Sequence, residues 1–306
     1  MSFSNCKRLI GVGVAFGALL ASVTAAADPH PWQINLDKGA TAISHQVWNL
    51  HMAAFYVCLA LAVFVFGAMF IAMIRFRRSK GAVAETWSHN TLLEVAWTVV
   101  PVLILIGLAT PATILTREIY NTTGSQMTVK VTGYQWLWRY DYISYEGKPV
   151  KHVKPVWSRL AWDSNAARQL DSGISPYSVV DKNTGLHDYL LDVTHPLVIP
   201  AGVKVRFLIT GADVIHGWWV PDFAVKRNAI PGIMNDVWAK VDKPGVYRGQ
   251  CYVLCGQDHS AMPVVVKVLP RDQFNTWLAE RRNAAVLDKA SRTAQATPPK
   301  PTPTKG

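Results

Sequence analysis

Acidic residues are few in this chain of 306 amino acids: Asp and Glu number 20 against 31 Lys and Arg, a formal charge of +11. An excess of base that large raises the question of a nucleic-acid partner, and its distribution answers it. Lys7 and Arg8 stand ahead of the first apolar run. Residues 75–91 carry four bases against Glu85, and the stretch from Arg281 onward carries six against Asp288. What remains is nearly neutral, so no basic face for nucleic acid is implied. Cysteine is scarcer still, with four residues, and none stands in a Cys-x-x-Cys-His. That excludes a fused c-type haem domain. Nothing in the chain reads as a haem or oxygen site.

Charge is missing altogether from residues 50–74, an apolar run long enough to cross a bilayer. Arg75, Arg77, Arg78 and Lys80 follow at once. A second span covers residues 92–115, charged only at Glu94 and interrupted by Pro101 and Pro111. The short basic loop 75–91 is expected in the cytoplasm, which turns both ends of the hairpin, 48–120, outward. Residues 1–27 read as a signal peptide: Lys7 and Arg8, an apolar run over 9–20, then Ala25-Ala26-Ala27. The mature chain is expected to begin near Asp28, with 28–47 as an outer N-terminal segment.

From Gln126 the pattern changes to short strands. Residues 127–131, 203–207 and 237–241 alternate apolar with polar, and Pro200-Ala201-Gly202 and Asp242-Lys243-Pro244-Gly245 supply turns. Residues 263–269 form a last apolar strand. The region 121–270 is therefore expected to be an all-β Greek-key sandwich or barrel. Residues 148–187 interrupt it as an ordered insertion. Residues 271–289 are expected to close the domain as a helix, with Phe274, Trp277 and Leu278 on one face. The Thr, Pro and Lys bias of 290–306 predicts a disordered tail.

The chemistry concentrates in Cys251-Tyr252-Val253-Leu254-Cys255-Gly256-Gln257-Asp258-His259-Ser260-Ala261-Met262. Soft sulfur with imidazole suits copper, whereas magnesium and calcium prefer hard oxygens. One Cys with one His and one Met would suggest a mononuclear blue-copper site. The second thiol allows two ions to be bridged, each then needing its own nitrogen. His259 supplies one, and His216, in Asp213-Val214-Ile215-His216-Gly217-Trp218, offers the other. A structural disulfide between Cys251 and Cys255 is the competing reading in an oxidising compartment.

These two segments resemble the dinuclear copper-A site of cytochrome c oxidase subunit II. That family's loop reads Cys-x-Glu-x-Cys-x-x-x-His-x-x-Met, with an upstream Val-Ile/Leu-His-x-Trp. The match is complete except at Val253, where the family usually has Glu. The likeness runs over residues 48–269 and is densest over 213–268.

The resemblance implies a two-helix transmembrane hairpin followed by a cupredoxin-like domain on the periplasmic side of a bacterial inner membrane. It implies that Cys251 and Cys255 bridge two coppers, that His216 and His259 bind one each, that Met262 is a weak axial ligand and that Val253 ligates through its backbone carbonyl. Electrons would come from cytochrome c, first received by Trp136 within Gly133-Tyr134-Gln135-Trp136-Leu137-Trp138, read here as part of a strand. They would pass to haem in subunit I, with subunit III as a further partner and proton pumping coupled to oxygen reduction. Glu94, three residues before Trp97, would mark the entrance of a proton route. Asp141, Asp213, Asp222 and Asp258 are the acids that could meet a basic donor. In the family the missing Glu also binds magnesium, and Asn228 stands where Asp is common, so that site is expected to be absent or weakened. Two other classes compete: a structural subunit of the quinol-oxidase kind, which lacks the copper ligands, and a one-span copper-delivery protein with a thioredoxin-like pattern.

Overall fold

The computed structural model describes residues 25–27, 33–169 and 188–296. Two long helices precede the β-domain: α1 (Ala42–Arg75) and α2 (Thr91–Ile119). Thr41 starts α1 with a reciprocal cap, its hydroxyl oxygen accepting from the Ser44 amide at 2.9 Å while Ser44 Oγ accepts from the Thr41 amide at 3.0 Å. Asn90 Oδ1 accepts the Leu93 amide and starts α2 in the same manner. Neither helix buries its apolar stretch within the protein, and Phe64, Met73, Leu103 and Ile114 lie exposed. Helices that are apolar all round belong in lipid. The expected spans fall inside α1 and α2, which run on to meet the β-domain.

Both helices are fastened to that domain at the same end. The Ala40 amide donates to Asp222 O at 2.8 Å, and the Thr41 hydroxyl donates to Phe223 O at 3.3 Å. Trp238 Nε1 donates to Glu118 O at 2.9 Å in the last turn of α2. Lys204 Nζ donates to the carbonyls of Asn121 and Thr123 just beyond it. Peptide groups at the helix ends thus find partners in the strands, as groups leaving a helix must.

The strands, with the first short one included, are β1 (Ala25–Ala27), β2 (Met127–Tyr134), β3 (Leu137–Tyr145), β4 (Lys148–Pro149), β5 (Val156–Ser158), β6 (Leu197–Pro200), β7 (Lys204–Gly211), β8 (His216–Val220), β9 (Val225–Ala229), β10 (Asn235–Lys240), β11 (Gly245–Cys251) and β12 (Pro263–Leu269). One sheet runs β6-β12-β11-β8-β9, with β1 also on β11; the other runs β10-β7-β2-β3-β4, with β5 also on β3. The β2–β7 and β6–β12 pairs are parallel. The inward residues of both sheets, among them Val129, Val131, Phe207, Ile209, Trp218, Val264 and Val266, form one core. This is the two-sheet sandwich that the alternating segments predict, and the cupredoxin-like domain that the resemblance implies. Its closing helix, α4 (Arg271–Ala296), buries Phe274 and Leu278, with Phe274 edge-to-face against Tyr145 and Trp277 tilted against Tyr142.

Four expectations are corrected or bounded by these elements. α4 continues to Ala296, past the expected end at 289, because residues 290–296 hold Ala, Arg and Gln and no proline; the proline-rich remainder, 297–306, lies outside the described residues. Gly133 to Trp138 is a hairpin and not one strand: Tyr134 pairs with Leu137, and Gln135-Trp136 is the turn. The insertion begins as sheet, since Val156–Ser158 pairs antiparallel with β3, and continues as a short helix, α3 (Trp162–Ala167); residues 170–187 lie outside the described residues. Finally, Ala25–Ala27, at the expected end of the signal peptide, run parallel to Gly245–Tyr247 of β11, and residues 1–24 lie outside the described residues.

Candidate metal centre

The centre forms where three chain segments converge at one end of the sandwich. β8 opens with His216, β11 closes with Cys251, and the loop to β12 carries Cys255 and His259. The register pairs Cys251 with Trp218, which brings His216 and the first thiol onto neighbouring strands. The Cys251 amide donates to Met262 O at 3.0 Å, so the loop returns to its own starting point before β12 begins. Met262 itself is buried.

A ring nitrogen of His216, Cys251 Sγ and Cys255 Sγ lie within 4.8 Å of one another, and all three residues are buried. The two sulfurs are 3.8 Å apart and unbonded, so the structure carries them as two thiols and not as a disulfide. His259 Nδ1 stands 3.6 Å from Cys255 Sγ, and the Val253 carbonyl oxygen 3.3 Å from Cys251 Sγ. Five of the sequence-predicted ligands are therefore gathered at one place. Glu94 is not among them. It sits in the first turn of α2, with the length of that helix, roughly 40 Å, between it and the β-domain.

Imidazole orientation is settled by Asp213. Its Oδ1 lies 2.8 Å from His216 Nε2, so the ε nitrogen donates and the δ nitrogen keeps its lone pair. Nδ1 is buried and has no hydrogen-bond partner. A buried acceptor left unpaired beside two thiols is what a metal site needs and what a core histidine avoids. Room for the ring comes from Gly133: a Cβ there would stand 2.8 Å from His216 Cδ2.

Electrostatics divide the two thiols. Burial works against the Cys251 thiolate, yet the facing His216 and the Gly217 amide, 3.5 Å from Sγ, hold its pKa below the ordinary thiol value. Burial and then the neighbouring Cys251 charge push Cys255 up to about 12. Cys251 is therefore the more readily ionised of the two, and a cation binding both sulfurs as thiolates displaces the proton that Cys255 holds. For Asp213, burial is outweighed by hydrogen bonds from His216 and the amides of Gln135 and Val214, which hold its carboxyl below the usual range.

The hairpin turn of β2 and β3 packs on the same loop. Gln135 Nε2 and Trp136 Nε1 both donate to Cys255 O, at 2.9 and 3.3 Å. Two residues the sequence reading left without a site role appear here. Gln135 is one. Arg168, just past α3, is the other, forked onto Asp258 at 2.9 and 3.2 Å. The acids offered as donor contacts are largely engaged within the chain: Asp141 with Arg139, Asp213 with His216, and Asp258 with Arg168. The Asp213-x-x-His216 spacing could have signalled the first of the orienting groups; no local pattern could have signalled Arg168. Neither Val253 nor Asn228 offers a carboxylate, and the Asn228 side chain accepts the Tyr252 hydroxyl.

Comparison with known proteins gives one answer throughout. Residues 127–269 match the family described as cytochrome C oxidase subunit II, periplasmic domain, and residues 29–115 match its transmembrane domain. A probable cytochrome c oxidase subunit 2 of Rickettsia prowazekii is 35% identical, with 87% of this chain and 78% of that one covered. The cytochrome c oxidase subunit 2 of Cereibacter sphaeroides is 30% identical over 91% of this chain and 93% of its own. Among solved structures, the periplasmic domain of subunit II of cytochrome oxidase of Bradyrhizobium japonicum is 32% identical with a TM-score of 0.41, covering 53% of this chain and 98% of that one.

The space beside His216 can be tested directly. Gly133→Ala should push the imidazole off its line while leaving the sheet intact. Copper affinity, measured by competition with a chelator, should fall at least about tenfold, as for other losses of ligand orientation, with an unchanged circular dichroism spectrum. Wild-type affinity in that variant would show that Gly133 plays no part in seating His216.

Proposed function

The chain belongs to the cytochrome c oxidase subunit II family, and on that premise we propose that its β-domain takes electrons from cytochrome c and passes them to haem in subunit I. As a family member it is a membrane subunit of a haem-copper terminal oxidase. The observation that carries the proposal is the pair of sulfurs 3.8 Å apart, flanked by a buried, unpaired His216 Nδ1 and by His259 Nδ1. One imidazole for each of two bridged ions is the arithmetic of a dinuclear copper centre.

These residues fit copper. Held there, it would supply one-electron redox chemistry in a ligand set of thiolate and imidazole that suits it. The thiolates of Cys251 and Cys255 would hold it together with the imidazoles of His216 and His259, one for each ion, with the Val253 carbonyl and the Met262 sulfur as further ligands. A site closed by protein groups relays electrons and leaves no open position for substrate. Asp213 keeps His216 in the binding tautomer, and the buried thiols exclude water. Oxygen reduction and proton pumping belong to the assembled complex, in which subunits I and III are the partners.

Orientation follows from charge. The loop joining α1 and α2 carries Arg75, Arg77, Arg78 and Lys80, which favours the cytoplasm. Because α1 and α2 both meet the β-domain at their other ends, that domain is then periplasmic. Glu94, an acid at the cytoplasmic end of a span, marks the proton route.

Copper number decides the central reading. Metal analysis of the purified oxidase should find two coppers attributable to this chain, and no tightly held manganese after growth on manganese. Cys251→Ser should abolish the hyperfine pattern of an electron shared between two copper nuclei. A single copper after full reconstitution would overturn the dinuclear assignment.

Trp136 tests how electrons arrive. Its indole N–H reaches the carbonyl of Cys255, so Trp136→Phe removes that link while keeping an aromatic ring. Stopped-flow transfer from cytochrome c should slow by at least about tenfold with copper content unchanged; an unaltered rate makes Trp136 a packing residue. Glu94→Gln should slow proton uptake and turnover and leave copper untouched. Normal uptake in that variant reduces Glu94 to an interfacial anchor.

A further inference from the structure

Among the described residues, one ion pair joins the insertion to the metal loop, and the electron route above does not use it. Arg168 follows α3 directly, and its Nη1 and Nη2 donate to Asp258 Oδ1 and Oδ2 at 2.9 and 3.2 Å. Its Nε donates to Asn165 Oδ1 of α3 at 2.8 Å, so three bonds fix the plane of the guanidinium. The two side chains are 29% and 28% exposed. A forked pair held partly out of water is a different case from the freely solvated surface pair, which contributes little.

Its position gives it a task. Asp258 immediately precedes His259, and Asp258 O accepts the Ala261 amide at 3.0 Å, closing the short turn that carries the imidazole. On the other side of the loop, Gln135 and Trp136 grip Cys255 O. Gly256, at φ +120°, links the two held points through a conformation that side chains rarely adopt. One anchor therefore comes from the sandwich and the other from the insertion.

We propose that Arg168 is a positioning residue for the metal loop: by gripping Asp258 it holds His259 in place and cancels the carboxylate's charge beside the centre. The proposal rests on the copper reading above. Two effects follow. Without the grip, His259 is held less firmly. Without the cation, a bare anion stands near the copper, favours its more positive oxidised state and lowers its reduction potential; removing the anion does the reverse.

The test uses the full copper-loaded chain in detergent, with Arg168→Gln, Arg168→Lys, Asp258→Asn and the double variant Arg168→Gln/Asp258→Asn. Copper release to a chelator and reduction potential are both measured. Copper should leave Arg168→Gln about tenfold faster than wild type, the lower end of what losing a ligand-orienting group costs. Arg168→Lys should fall between the two. The potential should drop in Arg168→Gln, stay near wild type in Arg168→Lys, rise in Asp258→Asn and return near wild type in the double variant, whose release should match Asp258→Asn. Unchanged release and potential in loaded Arg168→Gln overturn the proposal, as do potentials that move the same way in Arg168→Gln and Asp258→Asn. A wild-type chain that takes up no copper sinks the copper reading itself, an outcome distinct from either.

Discussion

The carboxylate of Asp213 holds the centre together. One oxygen accepts a hydrogen bond from His216 Nε2–H, which leaves Nδ1 to face the thiols. The other accepts the Gln135 amide at 2.8 Å. Gln135 and its neighbour Trp136 in turn reach the carbonyl of Cys255, whose sulfur lies 3.8 Å from that of Cys251. A closed ring of contacts thus runs from ligand to orienting group to hairpin and back to ligand. If Asp213 were lost, both the imidazole tautomer and the seat of the hairpin would go with it.

The sandwich makes such a ring possible. Ligands come from the start of β8, the end of β11 and the loop that follows, all at one end of two sheets sharing a single core. Loops on a packed scaffold can hold geometry that a free loop would lose to entropy. Charge is arranged with similar economy: one thiolate is stabilised, while burial keeps the second thiol protonated until a cation arrives.

The surroundings of the centre are largely self-satisfied. Asp141, Asp213 and Asp258 each have a basic or imidazole partner within the chain. As donor contacts they are therefore partly neutralised, which fits a β-domain whose sequence is nearly balanced in charge. The same frugality appears at the membrane junction. There, the carbonyls of Glu118, Asn121 and Thr123 are taken up by Trp238 and Lys204 where the second span meets the domain.

Much of this was legible in the sequence, because the relevant physics is local there. Two uncharged runs specify spans, alternation specifies strands, and a loop with two Cys, a His and a Met specifies soft-metal chemistry. The same holds for Phe274, Trp277 and Leu278, whose spacing alone put them on one face of the closing helix. Tertiary structure decided the rest, because it depends on which distant segments become neighbours. Only the turn at Gln135-Trp136 shows both side chains reaching one carbonyl, which an extended strand would have sent to opposite faces. The Asp213-x-x-His216 spacing hinted at an orienting acid, but only the fold shows the same carboxylate also holding the Gln135 amide, 78 residues away. Arg168 and Asp258 are 90 residues apart, and no local pattern in a chain can announce a hydrogen bond between them.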